Sequence, residues 1–112
     1  MFGLFKSQNP IVNLTPLDVS EGLKKGEITL IDVREPSEFA AEHIKGAINI
    51  PLSRLKTETL PEAKGRTLVM QCLAGGRSAQ GVISCRDLGL GVDHHMQGGL
   101  NDWKAAGLPT TR

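Results

Sequence analysis

The sequence predicts an α/β domain built on a mostly parallel sheet. Short apolar runs rich in strand formers alternate along the chain with stretches at helical spacing. One run, residues 28–33, is apolar through most of its length and closes on Asp32 and Val33, the pattern of a strand covered on both faces. Another, Thr67-Leu68-Val69-Met70-Gln71, leads into a glycine-containing loop and then a helix, the strand–loop–helix unit from which such sheets are built.

The elements follow in order. Residues 11–14 read as a first strand. Thr15-Pro16-Leu17-Asp18 opens a helix, with Thr15 as N-cap, Pro16 at the first helical position and Asp18 in the capping-box place; Gly26 stops it. After the strand at 28–33, Pro36 starts a short helix that runs to about Glu42. Residues 47–50 form a third strand, ended by Pro51, and residues 52–65 a helical or irregular connection interrupted by Pro61 and closed by Gly65. The strand at 67–71 leads to a helix at residues 78–88, where Ala79, Val82, Ile83 and Leu88 recur at helical spacing. Gly89 and Gly91 turn the chain into a last strand at 92–96, and Gly98-Gly99 leads into a final helix at 101–106, stopped by Gly107 and Pro109.

Cys72 therefore sits where a buried strand ends, and sheets of this kind place their sites at the carboxyl ends of strands. The residues after it, Leu73-Ala74-Gly75-Gly76-Arg77-Ser78, have chemical consequences. First-turn amides of a helix lack internal partners, and the helix macrodipole adds partial positive charge there. Gly75 and Gly76 let successive amides turn inward into an anion-binding nest, and Arg77 adds a permanent cation. A thiolate in such a cradle is favoured over the thiol. A strand-end cysteine can also be a small buried hydrophobe. The glycine pair, the Arg-Ser and the following helix favour the reactive thiol.

Cys72 to Ser78 resembles the active-site loop of the rhodanese family of sulfurtransferases. Three further stretches resemble the same family in order: Asp32-Val33-Arg34-Glu35; His43-Ile44-Lys45-Gly46-Ala47-Ile48-Asn49-Ile50-Pro51; and Gly98-Gly99 with Trp103 and Gly107-Leu108-Pro109. The resemblance implies a small five-stranded sheet with helices on both faces. It also implies a sulfurtransferase that moves a sulfane sulfur from thiosulfate or a similar donor to cyanide or a thiol through a Cys72 persulfide. Leu73, Ala74, Gly75, Gly76, Arg77 and Ser78 would bind the substrate, with no metal and no organic cofactor. Small-molecule donors and acceptors are the expected partners, with thioredoxin-like or other thiol proteins as further acceptors.

Two other functions compete. Cell-cycle phosphatases related in fold use a cysteine and an arginine in a similar loop, which raises phosphate hydrolysis or arsenate reduction. Here four residues, Leu73 to Gly76, separate Cys72 from Arg77, one fewer than in those relatives, and this resembles the tighter sulfurtransferase loop. A sulfur-relay or binding module that works only with a protein partner is the other.

Asp32 and Arg34 follow the second strand on the edge expected to carry Cys72. They read first as a structural ion pair or helix-start contact, with Glu35 and Glu38 as available partners, and second as groups that orient the loop or its arginine. His43 follows a helix, where a histidine binds the last carbonyls. His94 and His95 are neighbours in a strand, so their rings point to opposite faces and cannot chelate one metal together. Trp103 reads as core.

Composition bounds the rest. With 112 residues the chain has room for one core, so residues 10–112 are expected to be one domain and residues 1–9 a loose tail. A net charge of +1 gives no electrostatic case for nucleic acid or an acidic membrane surface. The apolar start (Phe2, Leu4, Phe5) is too short to span a bilayer. Cys85 would lie about 10 Å along a helix begun at Ser78, too far for a disulfide with Cys72, and reads first as a core-facing thiol and second as a resolving thiol. Two unpaired thiols fit a reducing compartment and a soluble cytoplasmic protein.

Overall fold

The structure is a computed structural model and describes residues 10–55 and 60–112; the segments 1–9, including the expected tail, and 56–59, within the expected 52–65 connection, lie outside the described residues. Five strands, β1 (Val12–Leu14), β2 (Ile28–Asp32), β3 (Ile48–Asn49), β4 (Thr67–Gln71) and β5 (His94–Met96), form one sheet in the order β1-β5-β4-β2-β3. Every pairing is parallel, so the sheet is wholly rather than mostly parallel. Four α-helices intervene: α1 (Pro16–Lys24), α2 (Pro36–Ala41), α3 (Gly76–Asp87) and α4 (Gly99–Ala105).

Alternation along the central strands divides the interior into two cores. Ile31 and Val33 at the end of β2, with Met70 and Cys72 at the end of β4, face Val82 and Cys85 of α3. Leu30 and Val69 point the other way, toward Val19 of α1 and Leu100 and Trp103 of α4. Trp103 is buried as its sequence context predicts, and its Nε1–H donates to the Pro109 carbonyl at 2.9 Å. Cys72 thus lies on the α3 side of the most deeply buried part of the sheet.

Local chemistry sets several boundaries. Thr15 and Asp18 close a reciprocal capping box, with Asp18 N–H donating to Thr15 Oγ1 at 3.1 Å and Thr15 N–H to Asp18 Oδ2 at 3.0 Å. β4 keeps its predicted bounds, and several other boundaries shift by one or two residues. α3 begins at Gly76, not Ser78, because Gly75 takes a left-handed φ of +108° and caps the helix directly. α4 starts at Gly99, two residues earlier than the sequence indicates, after Gly98 at φ +73°. β3 is shorter than the predicted 47–50, yet the edge pairing continues past it through Ile50 N–H to Asp32 O at 3.0 Å and Leu52 N–H to Val33 O at 2.9 Å. A single 3₁₀ turn, Leu52–Arg54, follows. β5 is shorter than 92–96, although Val92 remains buried in the α3-side core.

A buried ion pair fastens the carboxyl end of β2. Arg34 meets Asp32 with both Nε (3.0 and 3.1 Å) and Nη2 (2.7 Å), and Nη2 also donates to the Glu42 carbonyl at 2.7 Å. The side chains are 4% and 0% exposed. Asn49 Nδ2 spans the carbonyls of Asp32 and Arg34 at 2.9 Å each, tying β3 to the same corner. Removing the carboxylate strands a guanidinium away from water. Asp32→Ala should therefore lower unfolding free energy by about 3–5 kcal/mol in urea denaturation; a loss below about 1 kcal/mol, the worth of a surface pair, would contradict this assignment.

Candidate active site

Cys72 leaves β4 one residue beyond its last pairing position, with 1% of its surface exposed. The chain then turns through Leu73 and Ala74, both exposed, to Gly75, whose left-handed backbone aims its amide back at the sulfur. Gly75 N–H donates to Cys72 Sγ at 3.1 Å and Ser78 N–H at 3.3 Å, while Ser78 Oγ stands 3.6 Å from Sγ. The sulfur is therefore ringed by dipoles from a loop and the first turn of one helix.

Two opposing effects act on its ionisation. Burial pushes the Cys72 thiol up, and the Ser78 hydroxyl with the amides of Ser78, Gly75 and Ala74 pulls it down by more, so the thiol ionises below its ordinary value. The amides that converge on the sulfur are those of Ala74, Gly75 and Ser78, the last in the first turn of α3. Cys85, on the buried face of α3, has burial alone acting on it, which pushes its thiol up; both cysteines are free.

The base of the loop is clamped by α4. The Cys72 carbonyl accepts from Leu100 N–H at 2.8 Å and from Gln71 Nε2 at 2.7 Å, and the Leu73 carbonyl accepts from Asn101 N–H at 3.0 Å. Gly99 sits so close that a Cβ there would fall within 2.4 Å of the Cys72 carbonyl oxygen, and its φ is +58°. The Gly98-Gly99 turn is therefore a seat for the loop, and a side chain at Gly99 would displace it.

Arg77 differs from the expected free cation. Its Nη1 and Nη2 lie 2.6 and 3.0 Å from the two carboxylate oxygens of Glu38 on α2. The bidentate pair leaves Arg77 fully charged but compensated, and it ties α2 to the first turn of α3. Asp32 and Arg34 pair with each other rather than with Glu35 or Glu38, and no hydrogen bond among the described residues joins them to the loop. His43 lies away from the loop: its Nδ1 is 2.7 Å from the Phe39 carbonyl at the end of α2, and its ring stacks on Phe39 with centroids 3.9 Å apart. His95, discarded as half of a metal pair, is 7% exposed, and its Nδ1 is 2.9 Å from Ser78 Oγ. The strand alternation that prevents His94 and His95 from chelating together is the same signal that places one of them on the α3 face. Among the described residues, no three His, Cys, Asp or Glu side chains converge as metal ligands, and no helix is long and apolar enough to cross a membrane.

The chain is thus a small α/β domain whose wholly parallel sheet carries a cysteine in an amide cradle at a strand end. The family model described as Rhodanese-like domain matches residues 15–106, and the chain belongs to that family. An uncharacterized protein of Synechocystis is 41% identical over 101 residues, covering 90% of this chain and 56% of its own length, so the chain spans little more than half of that relative. The uncharacterized protein YqhL of Bacillus subtilis is 34% identical over 96 residues, covering 86% of this chain and 75% of its own length. A thiosulfate sulfurtransferase of Escherichia coli, PspE, is 38% identical over 76 residues, covering 64% of this chain and 70% of its own. Among solved structures, a rhodanese-related protein from Thermoplasma volcanium superposes with a TM-score of 0.77 at 32% identity, covering 88% of this chain and 96% of that one. A human single-domain sulfurtransferase gives 0.72 at 29% identity, with 87% and 96% covered.

The Arg77 guanidinium holds the Glu38 carboxyl down to about 2 from its usual 4.5. Because the folded value is depressed, the stabilisation from this half-exposed pair is present in full above 4.5 and fades as pH falls toward 2. Carboxyl-carbon NMR should show Glu38 titrating near 2 in the wild type and returning toward 4.5 in Arg77→Ala. An unchanged midpoint in the variant would mean that the pair does not persist in solution.

Proposed function

We propose that this chain is a sulfurtransferase that carries sulfane sulfur as a persulfide on Cys72. The observation that bears most weight is the ring of donors around Cys72 Sγ, from the Gly75 and Ser78 amides at 3.1 and 3.3 Å and the Ser78 hydroxyl at 3.6 Å. It favours a thiolate at rest and suits an anionic sulfur species in its place. Family membership and the sulfurtransferase names of several relatives agree with this reading.

In the first half-reaction the Cys72 thiolate attacks the outer sulfur of a donor such as thiosulfate. A bond forms between Sγ and that sulfur, the sulfur–sulfur bond within thiosulfate breaks, and sulfite leaves with the electron pair. The intermediate is covalent, which divides the transfer into two easier steps. The terminal persulfide sulfur is anionic and extends toward the exposed mouth formed by Leu73, Ala74 and Gly76. The Gly76 and Arg77 amides, in the first turn of α3 where helical residues have no intrahelical acceptor, are the donors available to it. In the second half-reaction cyanide or a thiolate attacks the terminal sulfur and Cys72 leaves as the thiolate. No step requires a metal or an organic cofactor. The uncharged rim of Leu73 and Ala74 contributes little discrimination among small anionic donors, whereas the loop amides select for negative charge. Two unpaired thiols suit a reducing compartment, and we place the activity in the cytoplasm.

Intact-mass measurement after thiosulfate treatment tests the reading. Wild-type protein should gain one sulfur atom and lose it again on adding cyanide, and Cys72→Ser should gain none. A wild type that never takes up sulfur, or a Cys72→Ser variant that does, would overturn it.

A further inference from the structure

The hydrogen-bond chain that begins at the sulfur does not stop at Ser78. Ser78 Oγ lies 2.9 Å from His95 Nδ1, and on the far side of the ring His95 Nε2 lies 2.7 Å from Asn13 Oδ1. Asn13 and His95 are register partners across β1 and β5, so sheet pairing itself holds the outer end of the chain. The inner end is a wholly buried serine on α3.

The proton arrangements open to such a chain are few. Asn13 Oδ1 only accepts, so Nε2 bears hydrogen. While the ring is neutral, Nδ1 is bare and accepts the Ser78 O–H at 2.9 Å in competition with the Gly75 carbonyl at 3.1 Å, and a Ser78 lone pair accepts the Cys72 S–H. When two protons each move one place, the S–H bond breaks and an O–H bond forms on Ser78. The original Ser78 O–H breaks at the same time, and an N–H bond forms at Nδ1. Cys72 becomes a thiolate that accepts from Ser78, and His95 becomes an imidazolium that donates from both nitrogens. Every donor keeps an acceptor in both arrangements, the 3.6 Å gap between Sγ and Oγ needs only to shorten as the proton crosses, and the net charge of the buried site does not change.

We infer that His95 is a positioning residue which, acting through Ser78, holds the proton that Cys72 gives up on becoming a nucleophile and returns it when the thiol reforms. The inference rests on the reading of Cys72 as the nucleophile. Burial alone pushes the His95 ring toward its neutral form, so its imidazolium needs the thiolate nearby, and the two groups titrate as a coupled pair. The surrounding elements bring mostly uncharged or already paired groups. β1 and β4 meet His95 in register with Asn13 and Met70, and on α3 Arg77 is paired with Glu38 and Arg86 with Asp93. Cys85, also on α3, has its thiol pushed up by burial and stays neutral beside the pair.

Coupling is reciprocal, and this allows a test from both ends. The pH dependence of Cys72 alkylation by iodoacetamide, read by peptide mass, is compared in wild type, His95→Asn and His95→Phe. Ring-nitrogen NMR follows the His95 titration in wild type and in Cys72→Ser. Asparagine at position 95 keeps a polar partner for Ser78 but cannot hold the proton. His95→Asn should therefore raise the Cys72 midpoint by about one unit, a tenfold smaller thiolate fraction near neutrality, and His95→Phe by at least as much. Cys72→Ser should lower the His95 midpoint by a matching amount. If His95→Asn alkylates with the wild-type profile, or the His95 midpoint does not move in Cys72→Ser, the relay is wrong. Should the position-95 variants fail to fold, the Cys72→Ser comparison decides alone, since it reads the native histidine. A wild type that takes up sulfur but shows no coupling rejects the relay and spares the sulfur-transfer reading. Coupling in a protein that takes up no sulfur does the reverse.

Discussion

A sulfur shielded from water by a protein interior is driven toward its neutral thiol, and a nucleophile that must be anionic can sit there only if fixed donors replace the lost solvent. Around Cys72 that replacement is supplied by the Ser78 hydroxyl and by backbone amides. The Gly75 and Ser78 amides hold no titratable proton and need no reorganisation when charge appears, so the environment is prepared before substrate arrives. Most of the chain's less ordinary features follow from keeping those amides aimed. Gly75 has to adopt a left-handed conformation, α3 has to begin at the next residue, and the loop base has to be pinned by the Leu100 and Asn101 amides at the start of α4.

The scaffold divides this work between its two layers. The α3 side supplies the cradle, while the α1/α4 side supplies the anchor, and the sheet between them transmits the register of both. The buried Asp32–Arg34 pair secures the neighbouring strand end, and Arg77 reaches across to Glu38 to hold α2 against the first turn of α3. With its guanidinium so engaged, Arg77 acts on the site mainly as a brace, and the donors at the sulfur are the Ser78 hydroxyl and the loop amides. On the proposed sulfur-transfer reading, this distribution suits a small anionic guest, because dipoles bind charge without the tight pairing a free guanidinium would impose.

Much of this was legible in the residue order, and what was missed has a common cause. Strand β4 and the start of α1 followed directly from β-formers and from a capping box closed within four consecutive residues. The Gly-Gly pair announced a tight turn, but only the structure shows that Gly75 is the residue at positive φ, which moves the start of α3 by two positions. Interactions between residues distant in sequence were out of reach. Glu38 lies 39 residues from Arg77, and Asn13 lies 82 from His95, and no local pattern links either pair. Adjacent histidines in a strand point to opposite faces, and no local pattern shows that the inward-facing ring of His95 meets Ser78 and Asn13.

The central claim is that the Ser78 hydroxyl and the backbone dipoles together outweigh burial at one sulfur, and the most direct measurement is ultraviolet titration of the thiolate in a Cys85→Ser background, where Cys72 is the remaining thiol. A midpoint clearly below the value of about 8.5 for free cysteine is expected, moving upward when Gly75 is replaced by alanine and its amide turns away. A midpoint at or above that of free cysteine would mean that burial prevails, and Cys72 would then be a small core residue at the end of a strand.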